Sequence, residues 1–277
     1  MVLGRQNMII GRFGNKQRIA KQIIKYFPKD NTYTAYVEPF FGAGGMFLNK
    51  EVSQYNILND IDNNIYNLFI QWKTNKDSLI KEIQSIPIHQ TILDNYFPSD
   101  DISKAAIYIL TCNYSVFGTN KTLRSNVMEN KKYFIEERLN LFFEYIKYCK
   151  FYNKDFREFL KILSFDDRYN ERDKTFIYAD PPYLDTKTNY DSFTENDSID
   201  LFDYLENSKC RYAISEFNHP FILKQAKQRN LNVIEIGERR NLGNRRTEIL
   251  ITNYETELGL FDSLGGASNT KSSLAFV

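Results

Sequence analysis

Asp180-Pro181-Pro182-Tyr183 follows Thr175-Phe176-Ile177-Tyr178-Ala179, a short apolar run that predicts a buried strand. In an open α/β sheet, ligands bind in the crevice at the carboxyl ends of the strands. Pro181 and Pro182 remove two backbone N–H donors and fix two φ angles. That predicts a stiff turn with carbonyl oxygens available as acceptors. A fixed carboxylate, such a carbonyl and a flat ring together suit an aromatic amine. The oxygens accept from its N–H groups and the ring offers a platform for its π-face. Asp-Pro-Pro is also ordinary turn chemistry, so the tetrapeptide gains meaning only from what accompanies it.

Two other segments accompany it. Thr34 to Val37 reads as a strand, followed by Glu38-Pro39-Phe40-Phe41-Gly42-Ala43-Gly44-Gly45 and a predicted helix from Met46. Glycines at a strand-to-helix turn let the backbone approach a ligand closely, and the helix start offers unpaired N–H groups. The loop suits a phosphate or the uncharged edge of a nucleoside. It is neither a P-loop nor the G-x-G-x-x-G dinucleotide fingerprint. The next strand-like run, Tyr55 to Asn59, ends at Asp60. An acid about 20 residues after such a loop commonly holds ribose hydroxyls; a turn or helix-capping acid fits the same position. Near the start, Arg12-Phe13-Gly14-Asn15-Lys16 opens a predicted amphipathic helix over 18–27. Basic residues at a helix start oppose the helix dipole.

The elements that must position these residues fall in three parts. Residues 1–60 read as helix, strand, glycine loop, helix and strand. Residues 62–148 read mostly helical, with 3.6-residue apolar spacing in Ile65, Leu68, Phe69, Trp72 and in Ala105, Tyr108, Ile109, Cys112. Residues 150–254 return to alternating strands and helices.

Together these segments resemble the motifs of the Dam-like (D12 class) N6-adenine DNA methyltransferases, from about Gly11 to Tyr254. The resemblance rests on Gly14-Asn15-Lys16, Glu38 to Gly44, Asn59-Asp60, Asp155-Phe156, Ile214-Ser215, Asp180 to Tyr183, and Thr247 to Tyr254. It implies an α/β fold: a Rossmann-like methyltransferase sheet dependent on S-adenosylmethionine (AdoMet), with an inserted, mostly helical target-recognition subdomain. Residues 1–61 and 149–256 would form the catalytic domain, 62–148 the insertion, and 257–277 a polar tail. Arg12, Lys16, Glu38, Pro39, Gly42, Gly44, Asp60, Asp155, Phe156 and Asp180 would bind AdoMet. Asp180, Pro181, Pro182 and Tyr183 would be catalytic. The target adenine would be flipped from the duplex, stack on Tyr183, and donate its N6–H groups to Asp180 and the Pro181 carbonyl. No metal is expected.

The stretch from Asn113 to Asn126 is aromatic, basic and rich in amide side chains, which suits base edges in the major groove. Tyr114, Phe117, Lys121, Arg124 and Asn126 are its candidate DNA-binding residues. Arg245 and Arg246, in a second basic cluster with Arg239 and Arg240, are candidates for phosphate contact. The family's Gly-x-x-Arg-x-Asn pattern is altered here: Lys121 follows Gly118, and Arg124-x-Asn126 stands three residues late. The target sequence is therefore left open. Alternatives are N4-cytosine or RNA base methylation, and a non-catalytic DNA-binding subunit on the same scaffold. Asp180, where N4-cytosine enzymes more often carry serine, favours adenine.

Composition sets outer bounds. The chain has 277 residues, 42% hydrophobic and 26% charged, with net charge +1. That is ordinary globular composition, and DNA binding would rest on local basic patches. Three scattered cysteines and two histidines predict reduced thiols, no zinc site and a cytoplasmic setting; the resemblance implies a bacterial or phage-infected cell. No apolar run reaches 18 residues, so no membrane span is expected. In the tail, Leu258, Leu260 and Phe261 resemble the short peptides that bind the bacterial replication sliding clamp. A clamp, or a cognate restriction endonuclease, is a candidate partner besides double-stranded DNA.

Overall fold

The computed structural model describes residues 9–11, 16–118, 122–124, 131–185, 193–241 and 244–256. Its apolar runs form a seven-stranded sheet of order β3-β2-β1-β4-β5-β7-β6. The strands are β1 (Ala35–Glu38), β2 (Tyr55–Asn59), β3 (Lys150–Tyr152), β4 (Thr175–Ala179), β5 (Arg211–Phe217), β6 (Asn232–Asn241) and β7 (Asn244–Thr252). β1 to β5 run parallel. β7 is antiparallel to both β5 and β6. The chain leaves β1 on one side for β2 and β3, then returns to build β4 on the other. This Rossmann-like reversal opens a crevice at the carboxyl ends of β1 and β4.

The helices are α1 (Ala20–Ile24), α2 (Asn63–Thr74), α3 (Lys76–Ser85), α4 (Gln90–Asn95), α5 (Asp101–Tyr114), α6 (Lys131–Leu141), α7 (Phe143–Ile146), α8 (Phe156–Ile162), α9 (Glu195–Ser208) and α10 (Pro220–Gln228). Side chains alternate across a strand, and the two sheet faces have separate cores. Tyr36, Leu58, Phe176 and Tyr178 pack with α1 and with Leu68, Phe69 and Trp72 of α2. Val37, Ile177, Ala179 and Ile214 pack with Phe159 of α8, Phe202 of α9 and Ile222 of α10. β4 is buried at all five positions because both its faces are covered.

The helices between residues 62 and 148 share the first of these cores. The Phe69 ring stacks on Phe151 of β3 at 5.5 Å. The Trp72 indole N–H donates to the Leu139 carbonyl at 2.9 Å. Packing therefore draws no boundary at residue 62. No helix among the described residues is long and apolar enough to cross a membrane.

Two expected helices are shorter in the structure. The one predicted over 18–27 is a 3-10 turn, Lys16–Arg18, followed by α1; Ile19 at its N-cap makes no side-chain cap bond. The one predicted from Met46 is a single 3-10 turn, Phe47–Asn49. There Asn49 Nδ2 donates to the Gly45 carbonyl at 2.8 Å. Such back-bonding competes with helix propagation.

Candidate active site

The glycine loop leaves β1 at Glu38, a buried carboxylate that accepts from the Tyr36 hydroxyl. Burial pushes the Glu38 carboxyl up to about 8. The loop is then held almost entirely through backbone groups. The Phe41 N–H donates to the Asn59 carbonyl at 2.8 Å. Asn59 Nδ2 donates to the carbonyls of Pro39 at 2.9 Å and Lys154 at 3.0 Å. Asp60 Oδ2 accepts from the Gly42 N–H at 2.6 Å, and Oδ1 from the Asp62 N–H at 2.8 Å. Gly42 and Gly44 have φ of +53° and +70°. A Cβ on Gly44 would meet Phe41 Cζ at 3.0 Å, whereas one on Gly42 would enter open space. The loop is thus a rigid cradle that a close ligand can approach at Gly42.

Asn59 and Lys154 bring Asp155 and Phe156 to this cradle. The Phe156 ring, 5% exposed, lies 5.3 Å from Phe40. Asp155 is the N-cap of α8 and accepts from the Arg157 N–H at 2.9 Å. Its carboxylate therefore already has a structural task.

Beyond β4 the bonding is of another kind. Pro181 is buried, Pro182 half-buried. Lys16 Nζ lies 2.5 Å from Asp180 Oδ1 and 3.3 Å from Glu248 Oε1. It also stands 4.3 Å from the Tyr183 ring centroid. The Tyr183 hydroxyl donates to Glu248 Oε1, and its ring meets Phe217 edge-on at 4.6 Å. Burial holds the Tyr183 phenol well above its ordinary pKa, so it is a neutral donor. Below the turn, Glu216 accepts from the N–H groups of Leu184 at 3.1 Å and Phe217 at 2.5 Å. Burial raises the Glu216 carboxyl to about 8. The Tyr178 and Ser215 hydroxyls bond at 2.7 Å.

β7 reaches this edge because it runs against β5, pairing Glu248 with Phe217. Glu216 and Glu248 are functional candidates that the motifs did not reveal. Their signal was a single acid in each strand beside buried apolar residues, where a buried charge needs a partner.

The structure thus brings Lys16, Glu38, Pro39, Gly42, Gly44, Asp60, Asp155, Phe156 and the Asp180 to Tyr183 turn to one edge of the sheet. The candidate DNA residues are more dispersed. Tyr114 was expected to reach toward the duplex; it is instead fully buried at the end of α5, because its ring completes the first core. Arg124 is exposed and donates from Nε to the Ser115 carbonyl at 2.8 Å. Arg246 donates to the carbonyls of Leu184 at 3.3 Å and Asp185 at 3.5 Å, bracing the segment after Tyr183. Arg12, Lys121, Asn126, the side chains of Phe117 and Arg245, and the tail with Leu258, Leu260 and Phe261 lie outside the described residues. No group of three or more His, Cys, Asp or Glu among the described residues is arranged to hold a metal.

Comparison with known proteins is consistent with this geometry. The model of the D12 class N6 adenine-specific DNA methyltransferase family matches residues 13–239. The chain is 30% identical to a DNA adenine methylase of Haemophilus influenzae, over 66% of this chain and 67% of that one. It is 23% identical to the type II methyltransferase M1.LlaDCHI of Lactococcus lactis subsp. cremoris, over 87% and 93%. It is 24% identical to the modification methylase StsI of Streptococcus sanguinis, over 88% of this chain but only 42% of that protein.

Proposed function

We propose the following chemistry from one premise: the chain belongs to the D12 class N6 adenine-specific DNA methyltransferase family. It is a site-specific DNA methyltransferase that places a methyl group on the N6 amino group of adenine. The observation that carries the site assignment is Asp180. It leaves β4 at the sheet's reversal point, within reach of a buried ammonium and across the crevice from the glycine loop of β1.

AdoMet is the methyl donor that the cradle fits. The opening at Gly42 admits a close ligand, and Asp60 stands beside it. Pro39, Gly42, Gly44, Asp60 and Phe156 would hold the donor, with Glu38 and Asp155 shaping the walls. When bound, it supplies an electrophilic methyl group on a sulfonium.

The chain's own residues act on the base. Flipping adenine from the duplex costs a few kcal/mol, and the Tyr183 ring is the platform that offsets part of it, by about 1–3 kcal/mol. The N6 amine is a poor nucleophile because its lone pair is delocalised into the ring. Asp180 and the Pro181 carbonyl accept its two N–H groups and draw it toward tetrahedral geometry. The Asp180 carboxylate then stabilises the positive charge that grows on nitrogen. The stiff proline turn and the Glu216 bonds beneath it keep these acceptors in place.

Residues 62–148 are the target-recognition part and residues 1–61 and 149–256 the catalytic part, by task rather than by packing. Arg124 contributes to DNA contact from the first. A cognate restriction endonuclease is a fitting partner, since one relative of this chain is named a modification methylase. The test is transfer from labelled AdoMet to unmethylated genomic DNA, with the product nucleoside identified by mass spectrometry. N6-methyladenine is the expected product; N4-methylcytosine, or transfer only to RNA, would overturn the substrate.

A further inference from the structure

Glu248 lies at the centre of the Asp180 cluster and is fully buried. Its Oε1 accepts from the Tyr183 hydroxyl and lies 3.3 Å from Lys16 Nζ. The same ammonium lies 2.5 Å from Asp180 Oδ1, with its own side chain only 4% exposed. Asp180 is thus held by a strong, charge-assisted donor. The adenine amine, a neutral donor, must share that carboxylate with the ammonium. Lys16 cannot simply withdraw, because a buried charge stripped of its partner is strongly disfavoured.

We propose that Glu248 is a positioning residue for methyl transfer: it takes over the Lys16 ammonium when the adenine amine bonds Asp180. The inference rests on the assignment of Asp180 as acceptor of the target amine. The ammonium has three N–H donors and faces both carboxylates, so its weight moves from one to the other without leaving the cluster. The Tyr183 hydroxyl, bonded to the same Oε1, fixes the receiving carboxylate where the ammonium can reach it. A neutral amide at position 248 would leave the ammonium on Asp180 and keep the amine out.

The test is a double-mutant cycle on single-turnover methyl transfer to plasmid DNA, with Glu248→Gln, Lys16→Met and both. Glu248→Gln is expected to slow transfer roughly tenfold or more with Lys16 present. In the Lys16→Met background its cost is expected to fall to about twofold or less. Affinity for AdoMet should be unchanged by Glu248→Gln in both backgrounds. Equal costs in the two backgrounds, or no cost in the first, overturn the proposal. Should Glu248→Gln not fold, Glu248→Asp, with its carboxylate retracted by one methylene, takes its place. Should Lys16→Met be inactive, a structure of the wild-type protein with target duplex and sinefungin decides. Lys16 on Glu248 with the amine on Asp180 supports the handover, and Lys16 still on Asp180 overturns it. An active Asp180→Ala protein would instead remove the site assignment itself, whatever Glu248 does.

Discussion

The two halves of the crevice hold their carboxylates differently. On the β1 side, Asp60 accepts from the backbone N–H groups of Gly42 and Asp62. Backbone donors move only if the loop moves, so this half is a fixed frame. On the β4 side, Asp180 and Glu248 share one flexible ammonium, and the Tyr183 hydroxyl donates to Glu248. Side-chain partners exchange without moving the backbone. The difference matches the two tasks of the proposed function. A donor common to every turnover is served by a rigid cradle. A base that arrives from a duplex needs a pocket whose bonds can be handed over.

Substitutions in each half test the contrast. Tyr183→Leu keeps an apolar side chain but removes the ring. Transfer should fall by about 10- to 100-fold, equivalent to roughly 1–3 kcal/mol of base stacking, while AdoMet affinity holds. A loss confined to AdoMet affinity would assign Tyr183 to the other half. Asp60→Ala leaves the Gly42 and Asp62 N–H groups without their acceptor, at about 1–3 kcal/mol. AdoMet affinity measured by calorimetry should weaken by about tenfold, with transfer at saturating AdoMet little changed. The reverse pattern would break the division.

The smallest effect is one of pH. Burial raises the Glu38 carboxyl from 4.5 to about 8, so the folded protein keeps a proton that the unfolded chain releases. Its contribution is harmless below the unfolded value, and stability falls as pH rises toward the folded one. Glu38→Gln should abolish that decline. Melting temperatures of the variant should gain on the wild type between about pH 5 and pH 8. Parallel curves would show that Glu38 titrates normally.

What the sequence made legible was local. Asp180 to Tyr183 and Glu38 to Gly44 are contiguous, and Asp60 stands a predictable distance beyond the loop. Thr34 to Val37 likewise read as a strand, which the structure forms as Ala35–Glu38. What it hid was non-local. Lys16 and Asp180 are 164 residues apart, Tyr183 and Glu248 65. The second meeting depends on β7 running against β5, which no single segment encodes. The other misses came from competing local chemistry. Asn49 bonds back to Gly45 and stops a helix. Tyr114 lies in a polar-looking segment, but helical periodicity turns it into the core.

The central claim is that Asp180 drives transfer while the opposite half binds the donor. The most direct measurement pairs AdoMet binding with single-turnover transfer for wild type and Asp180→Ala. Wild type should yield N6-methyladenine, and the variant should lose transfer by roughly 10³-fold, about 4 kcal/mol of barrier, while still binding AdoMet. Transfer retained at the wild-type rate in Asp180→Ala would contradict the account.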